Sequence, residues 1–331
     1  MQTRQNALNE WLQIQLNQSS FTLTPLAGDA SFRHYLRLSS NNATRIVMDA
    51  PPEKENIVPF IRVNQTLQSM GVRTPTIHAV DLKQGFILLD DLGDKLLLNT
   101  ITQSNQDNLY HSALNTLIHI QKCPTESIPI FDKAHMLKEI SLFHDWFLTA
   151  YLGLTLTPEE EQILGTTFNA LTDHLANQPQ VFIHRDYHSR NLMVIEENAP
   201  SQLGVIDFQD AMYGPITYDL ASLLKDCYIK LPQAAYNNYL EFFHQHQPLV
   251  QQWSIQTMMN EVDFCGLQRH LKVLGIFCRL ALRDNKPNYL GDLPLTMDYT
   301  IACLKRHPSF TPFLQFMEER VLPQFMEVSH A

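Results

Sequence analysis

The feature that most constrains this chain is a single change of hydrophobic periodicity near residue 93. Before it, short apolar runs alternate with turns. The opening MQTRQNALNEWLQIQL reads as a first helix, and FTLTPLAGDASFRHYLRL and RIVMDA read as short strands around a turn at Gly28–Asp29–Ala30–Ser31, a strand–turn–strand flap. Ile57, Phe60, Ile61, Val63, Leu67 and Met70 recur at mostly helical spacing and stop at Gly71, which suits a C-terminal cap. HAVDLKQGFILLDDLGD adds two strand-like runs separated by Lys83–Gln84–Gly85. From Asp94 the texture becomes long helical patterns, NQDNLYHSALNTLIHIQK and AHMLKEISLFHDWFLTAYL, and a polar break at Thr155–Glu160 starts another helix. The helical half is interrupted once, by the β-like runs VFIHRDYHSRNLMVI and LGVIDFQDA on either side of a polar turn at Glu196–Gln202. This predicts an α+β fold of two lobes, a small β-rich one over residues 1–93 with one principal helix and a larger, mainly helical one over residues 94–331.

Length and composition agree with that division. A chain of 331 residues, 44% of them hydrophobic, has enough apolar side chain for about two folding units at roughly 150 residues each, so disorder as the main state is excluded. Asp and Glu number 34 against 24 Lys and Arg, a net charge of −10, which is the wrong sign for a general binder of nucleic-acid backbone. The five cysteines are scattered, odd in number and never paired as C-x-x-C, so they read as reduced thiols that pack. The N-terminus lacks the basic start and apolar block of a secretion signal, and the greasiest stretch, Leu271–Leu282, is broken by Lys272 and Arg279 and is too short to span a bilayer. The expectation is a soluble cytoplasmic protein with no nucleic-acid or membrane partner; protein partners are not legible.

The densest polar chemistry sits in the β interruption. HRDYHSRN, residues 184–191, places an acid, four intervening residues and a carboxamide on a loop between two apolar segments. Asp186 can orient an attacking hydroxyl and accept its proton, while Asn191 offers a neutral oxygen to a hard cation. Asp207, at the end of the apolar run in VIDFQD, can bind the same metal. An acid and two oxygen ligands in this order fit phosphoryl transfer, which needs positioning and charge neutralisation more than covalent chemistry.

HRDYHSRN followed by IDFQD resembles the catalytic and metal-binding loops of protein-kinase-like folds. DFQ stands where protein kinases have D-F-G, and no A-P-E follows, so a protein kinase is not expected. The continuation IDFQDAMYGPITYDLASLL resembles the aminoglycoside phosphotransferase and choline kinase branch, whose members phosphorylate small molecules. The resemblance implies ATP and Mg²⁺ as cofactors, with Asp186 catalytic and Asn191 and Asp207 on the metal. It makes LAGDASFRHYLRL the phosphate-covering flap, where Gly28, Ala30 and Ser31 let main-chain N–H groups approach phosphate. It makes FILLDDLGD the hinge, where the Asp90 carbonyl and the Leu92 N–H meet adenine. The phosphate lysine that the third strand normally supplies is missing, since RIVMDAPPE offers Met48 and Asp49; Arg33 or Arg37 is the substitute to consider, with Glu53 or Glu55 as the helix-side acid. His184 and Asp219 are expected to support the loop, and His188, Asp210 and Tyr213 are candidate substrate contacts.

The acceptor is addressed by QRHLKVLGIFCRLALRDNKPNYLGDLP, residues 268–294, read as one helix. Arg269, Lys272, Arg279 and Arg283 fall within an arc of about 80° at 100° per residue. Such a stripe either pairs with the acid surplus and snorkels to water, or turns one or two cations, Arg269 and Arg279 foremost, toward the acceptor. It argues against a polycationic aminoglycoside and suits a sugar bearing a carboxylate or acylamino group. MDAPPE, HRDYHSRNLM, LQRHLKVLGIFCRL and NYLGDLP together resemble bacterial anomeric kinases of the cell-wall sugars N-acetylmuramate and N-acetylglucosamine. That resemblance implies transfer of the ATP γ-phosphoryl group to a C1 hydroxyl in sugar salvage. The residues also admit a small-molecule kinase for another acceptor, and a catalytically silent nucleotide-binding regulator.

Overall fold

The fold is given by a computed structural model that describes residues 2–18, 20–26, 32–40, 43–195 and 203–330. Thr22–Pro25 (β1), His34–Ser40 (β2), Ala43–Asp49 (β3), Ile77–Asp81 (β4) and Phe86–Asp90 (β5) form one antiparallel sheet in the order β1-β2-β3-β5-β4. Side chains alternate across a strand, and here both faces are covered. Phe86 and Leu88 of β5 pack with Leu8, Trp11 and Leu12 of the helix Gln2–Leu16 (α1), whereas Ile87 and Leu89 join Phe60, Val63 and Leu67 of the helix Val58–Ser69 (α2). This is why FILLD is apolar throughout and does not alternate. α2 ends as its sequence predicts: Gly71 adopts φ +77°, and its N–H bonds the Gln68 carbonyl at 3.0 Å.

The helical lobe contains Leu97–Thr100 (α3), Gln106–Ile120 (α4), Lys133–Leu142 (α5), which continues as a π-helical stretch over Phe143–Tyr151, Pro158–Ala176 (α6), Tyr218–Leu224 (α7), Gln233–His246 (α8), Ile255–Leu282 (α9), Leu293–Arg306 (α10), Thr311–Phe316 (α11) and Leu322–His330 (α12). α6 opens with a capping box in which the Thr157 hydroxyl accepts the Glu160 N–H and the Glu160 carboxylate accepts the Thr157 N–H. The segment read as one helix over 268–294 is different in the structure. α9 starts at Ile255, capped by the Ser254 hydroxyl, and stops at Leu282; a 3₁₀ turn over Pro287–Asp292 then leads into α10.

The β interruption also differs, giving four short strands and not two runs. Gln180–Ile183 (β6) pairs with Met212–Pro215 (β9), and Leu192–Val194 (β7) with Leu203–Val205 (β8), all antiparallel. HRDYHSRN divides the first run into β6 and β7, IDFQD ends β8, and β9 lies beyond the second run. The polar turn at Glu196–Gln202 lies outside the described residues.

One hydrophobic core runs through both lobes. Phe208 of IDFQD meets Phe60 of α2 with ring centroids 4.8 Å apart, and the Val205 N–H bonds the Arg73 carbonyl at 2.8 Å. The five cysteines are buried thiols. Cys303, Asp263 and His307 converge, but Lys225, Arg306 and His307 already bond the Asp263 carboxylate, so this is an ion cluster tying α9 to α10, with an ammonium where a divalent cation would have to sit. No helix among the described residues is long and apolar enough to cross a membrane.

Candidate active site

The loop 184–191 leaves β6 through a tight reversal in which Arg185 takes φ +78°, a left-handed conformation that a non-glycine residue holds only when its surroundings enforce it. Asp219 in the first turn of α7 provides that enforcement: its carboxylate accepts the N–H of His184 at 2.6 Å and of Arg185 at 2.9 Å. His184 donates from Nε2 to the Ile206 carbonyl at 3.0 Å, and its Nδ1 faces the Asp186 N–H at 3.3 Å. Burial pushes the imidazole pKa down to about 4, so the ring is neutral in this bridging role. Tyr187 turns inward and bonds the Ala113 carbonyl at 2.8 Å, and the Ser189 N–H is held by Asp226 at 2.9 Å.

These anchors bring Asp186, Asn191 and Asp207 together. Asn191 Nδ2 bonds the Asp186 carbonyl at 2.9 Å and lies 3.5 Å from Asp207 Oδ2. Asp207 also adopts a left-handed conformation, φ +62°. Its Oδ1 accepts Gln209 at 2.8 Å, and among the described residues no Lys or Arg lies within ion-pair distance of it. Although Asp207 opens on the cleft, desolvation by the protein around it, and then the neighbouring acids Asp186 and Asp210, push its pKa up. A carboxylate in that position, beside a carboxamide oxygen and a second acid, fits a hard divalent cation.

Asp186 has the opposite electrostatics. Burial opposes its ionisation, but Lys272 and Arg269, followed by His188 and Arg185, outweigh that and hold the carboxyl well below the usual range. Arg269 of α9 is almost fully buried, bonds the Arg185 carbonyl through Nη1, places Nη2 3.8 Å from Asp186 Oδ1 and lies over the Tyr218 ring. Glu139 of α5 binds Arg185, accepts the Tyr218 hydroxyl at 3.2 Å and lies 3.2 Å from Lys272 Nζ. The acid thus stands ionised at the floor of a cleft cavity of about 950 Å³.

The other predicted residues divide. His188, Asp210, Arg269 and Arg279 border the cavity with the three central residues. Arg269 also bonds the loop 184–191, through the Arg185 carbonyl and toward Asp186. Tyr213 does not border the cavity: it sits in β9, opposite Phe182, with its main chain bonded to Pro129 and Phe131 and its side chain against the core. Gly28, Ala30 and Ser31 lie outside the described residues. Arg33 pairs with Glu55 at 3.2 Å, and both side chains are largely buried. Arg37 grips Asp91 at 2.7 Å and Asp94 at 2.8 Å. Met48 is in the core and Asp49 is bonded by Arg4 of α1, so neither β3 position supplies a cation. The Asp90 carboxylate is held by His78 at 2.7 Å, and the Leu92 side chain packs against Gly204.

Two acids at the site escape the motif reading. Glu139 has a local signal, because Met136, Ile140 and Phe143 around it on the helix are buried, which places an acid on an apolar face. Asp226 follows α7 with no such pattern, and only the fold shows that its carboxylate accepts the N–H groups of Ser189 and Tyr228. Aromatic rings extend the cavity wall from the catalytic loop: His188 to Tyr228 at 5.5 Å, Tyr228 to Phe277 at 6.1 Å and Phe277 to Tyr289 at 5.2 Å.

Comparison with known proteins identifies the family. Residues 22–253 match the phosphotransferase enzyme family. The chain is 40% identical to an N-acetylmuramate/N-acetylglucosamine kinase of Pseudomonas aeruginosa, over 92% of this chain and 90% of that protein. It is 37% identical to a kinase of the same name from Pseudomonas putida, over 96% of each. Among solved structures, an aminoglycoside phosphotransferase in a ternary complex with AMP-PNP and hygromycin B superposes with a TM-score of 0.60 at 12% identity, covering 90% of this chain and 98% of that one. At that identity the likeness concerns the fold.

Proposed function

The chain belongs to the phosphotransferase enzyme family and is a small-molecule kinase, and from that premise we propose that it transfers the γ-phosphoryl group of ATP to the anomeric C1 hydroxyl of N-acetylmuramate and N-acetylglucosamine. The product is an α-1-phosphate for cell-wall sugar recycling, made in the cytoplasm. The acceptor is supported by the names of relatives that match nearly the whole chain. The observation that carries the chemistry is the meeting of Asp186, Asn191 and Asp207 at the floor of the cleft.

In this reading residues 1–93 hold the nucleotide and residues 94–331 the acceptor. Adenine meets the Asp90 carbonyl and the Leu92 N–H, Gly28, Ala30 and Ser31 cover the phosphates, and Arg33, braced by Glu55, supplies positive charge in place of a β3 lysine. Asn191 and Asp207 hold Mg²⁺, which when bound neutralises charge on the phosphate oxygens. Asp186 aligns the sugar hydroxyl and takes its proton as the new O–P bond forms and the bond to ADP breaks. A carboxylate kept ionised by Arg269 and Lys272 is a weak base, so its main contribution is orientation. His188 and Asp210 border the acceptor, while His184 and Asp219 hold the loop that carries Asp186.

The test is sugar-dependent ADP release with Mg-ATP, with the product identified by phosphorus NMR. We expect an α-1-phosphate from each sugar, and a folded Asp186→Asn variant slower by roughly 100-fold to 10,000-fold. No ADP release with either sugar overturns the acceptor, and wild-type turnover by Asp186→Asn overturns the assigned acid.

A further inference from the structure

The basic stripe on α9 is sorted by the fold. Arg269 and Lys272 are committed to the catalytic loop and Glu139. Arg283 lies just past the end of α9 and bonds Asp284 through Nε at 2.7 Å and Nη2 at 2.9 Å. Arg279 is left. It borders the cavity, its Nε is buried with no hydrogen-bond partner, and among the described residues no carboxylate lies within ion-pair distance of its guanidinium. The charged groups it senses are Arg283 and Asp284, the latter already engaged; Asp186, Asp207 and Asp210 are not among them. Arg279 stands ten residues beyond Arg269 on α9, about 15 Å along the axis, and so lies away from the Asp186 end of the cavity. Arg62, Lys138 and Arg190 also border the cavity; Arg62 and Lys138 are solvent-exposed, so water satisfies them, and the Arg190 guanidinium is engaged over the rings of Tyr228 and Tyr289 at 4.6 and 5.7 Å.

Arg279 comes seven positions after Lys272, about 10 Å along a helix axis. An arginine on a helix leans toward the N-terminus, here back toward Asp186. The aromatic wall from His188 through Tyr228 and Phe277 to Tyr289 spans the same interval and suits the apolar face of a pyranose. In the pose this reading requires, the C1 hydroxyl lies at Asp186 and the O3 substituent extends into this distal part of the cavity. N-acetylmuramate differs from N-acetylglucosamine by a lactyl carboxylate on O3.

Resting on the sugar-kinase reading, we propose that Arg279 is the residue that selects for an acidic acceptor, pairing its guanidinium with the lactyl carboxylate of N-acetylmuramate. An orphaned buried donor gains most from a charged acceptor, and the planar guanidinium matches a carboxylate through two parallel bonds. A neutral O3 hydroxyl offers no such partner.

The experiment compares kcat/KM for the two sugars in the full chain, in Arg279→Met and in Arg279→Lys, with melting curves to show that the variants fold. The ratio of N-acetylmuramate to N-acetylglucosamine is expected to fall roughly tenfold to a hundredfold in Arg279→Met and by less in Arg279→Lys, which keeps the charge. In the unmodified chain, added salt is expected to raise KM for N-acetylmuramate more than for N-acetylglucosamine. A ratio unchanged in Arg279→Met, or equal salt sensitivity for the two sugars, overturns the inference and leaves the kinase reading standing. If the unmodified chain phosphorylates neither sugar, the function reading fails first and this inference falls with it.

Discussion

Asp219 Oδ2 accepts the main-chain N–H of His184 at 2.6 Å, across 35 residues of sequence, and the companion oxygen accepts that of Arg185 at 2.9 Å. One carboxylate therefore fixes the reversal from which Asp186 projects. In Asp219→Ala both N–H groups lose their acceptor in a buried place, at roughly 1–3 kcal/mol each. The expected result is a lower urea midpoint together with a lower kcat, since Arg185 no longer has a reason to hold φ +78°. An unchanged kcat in a destabilised protein would show that the loop keeps its shape by other means.

The Arg33–Glu55 pair, 3.2 Å apart, carries the proposed phosphate charge from the flap side. Arg33→Met is expected to raise KM for ATP about tenfold, the scale of a lost charge-assisted hydrogen bond, and Glu55→Gln to raise it less, because the arginine remains. Initial rates over an ATP titration at saturating sugar check this. An effect on the sugar KM alone would place Arg33 on the acceptor side.

Gly275 lets α9 touch α5 backbone to backbone. A Cβ there would fall on the Leu142 carbonyl and 2.7 Å from the Phe143 nitrogen, where α5 passes into its π-helical stretch. Main-chain atoms cannot swing aside as a side chain can, so Gly275→Ala is expected to cost about 2 kcal/mol or more. Chemical denaturation gives the number. A variant as stable as the parent would mean that the two helices separate at no cost.

Burial drives the His270 pKa down from 6.5 to about 3. Its Nε2–H donates to the Lys225 carbonyl at 2.9 Å, and the ring stacks on Tyr299 at 5.0 Å. The unfolded chain takes up this proton near pH 6.5 and the folded chain only near pH 3, so the unfolded state binds more protons in between. The stability that the neutral ring contributes is complete above pH 6.5 and is lost as the pH falls toward 3, a change on the order of a few kcal/mol. His270→Phe is expected to flatten this slope in melting temperatures measured across that range; an equal slope in both proteins would assign the acid sensitivity to other groups.

The meeting of Asp186, Asn191 and Asp207 was legible in the sequence because 184–191 and 205–210 carry them in two short motifs. That no lysine stands at the expected β3 positions is read directly, since Met48 and Asp49 occupy them. Closeness to Asp210 in sequence groups Tyr213 with the site but says nothing about which way a strand faces; in β9 the residue is half-buried against the core and does not border the cavity. Arg37 was open to two readings until the fold brought Asp91 and Asp94 to it.

The sequence by itself determined the two-lobed α+β class, which residues are candidates for the acid and the metal ligands, and the resemblance to small-molecule kinases. These are recorded in local periodicity and in short motifs, whose chemistry depends on near neighbours in the chain. Only the tertiary structure decided what each cation on α9 does. Arg269, Lys272 and Arg279 share a helical stripe, and periodicity gives their angle around the axis but not what stands opposite them. That depends on α5, α7 and the loop from β6, which lie far away in sequence and supply Glu139 and Asp186 to two of the cations and no acid to the third.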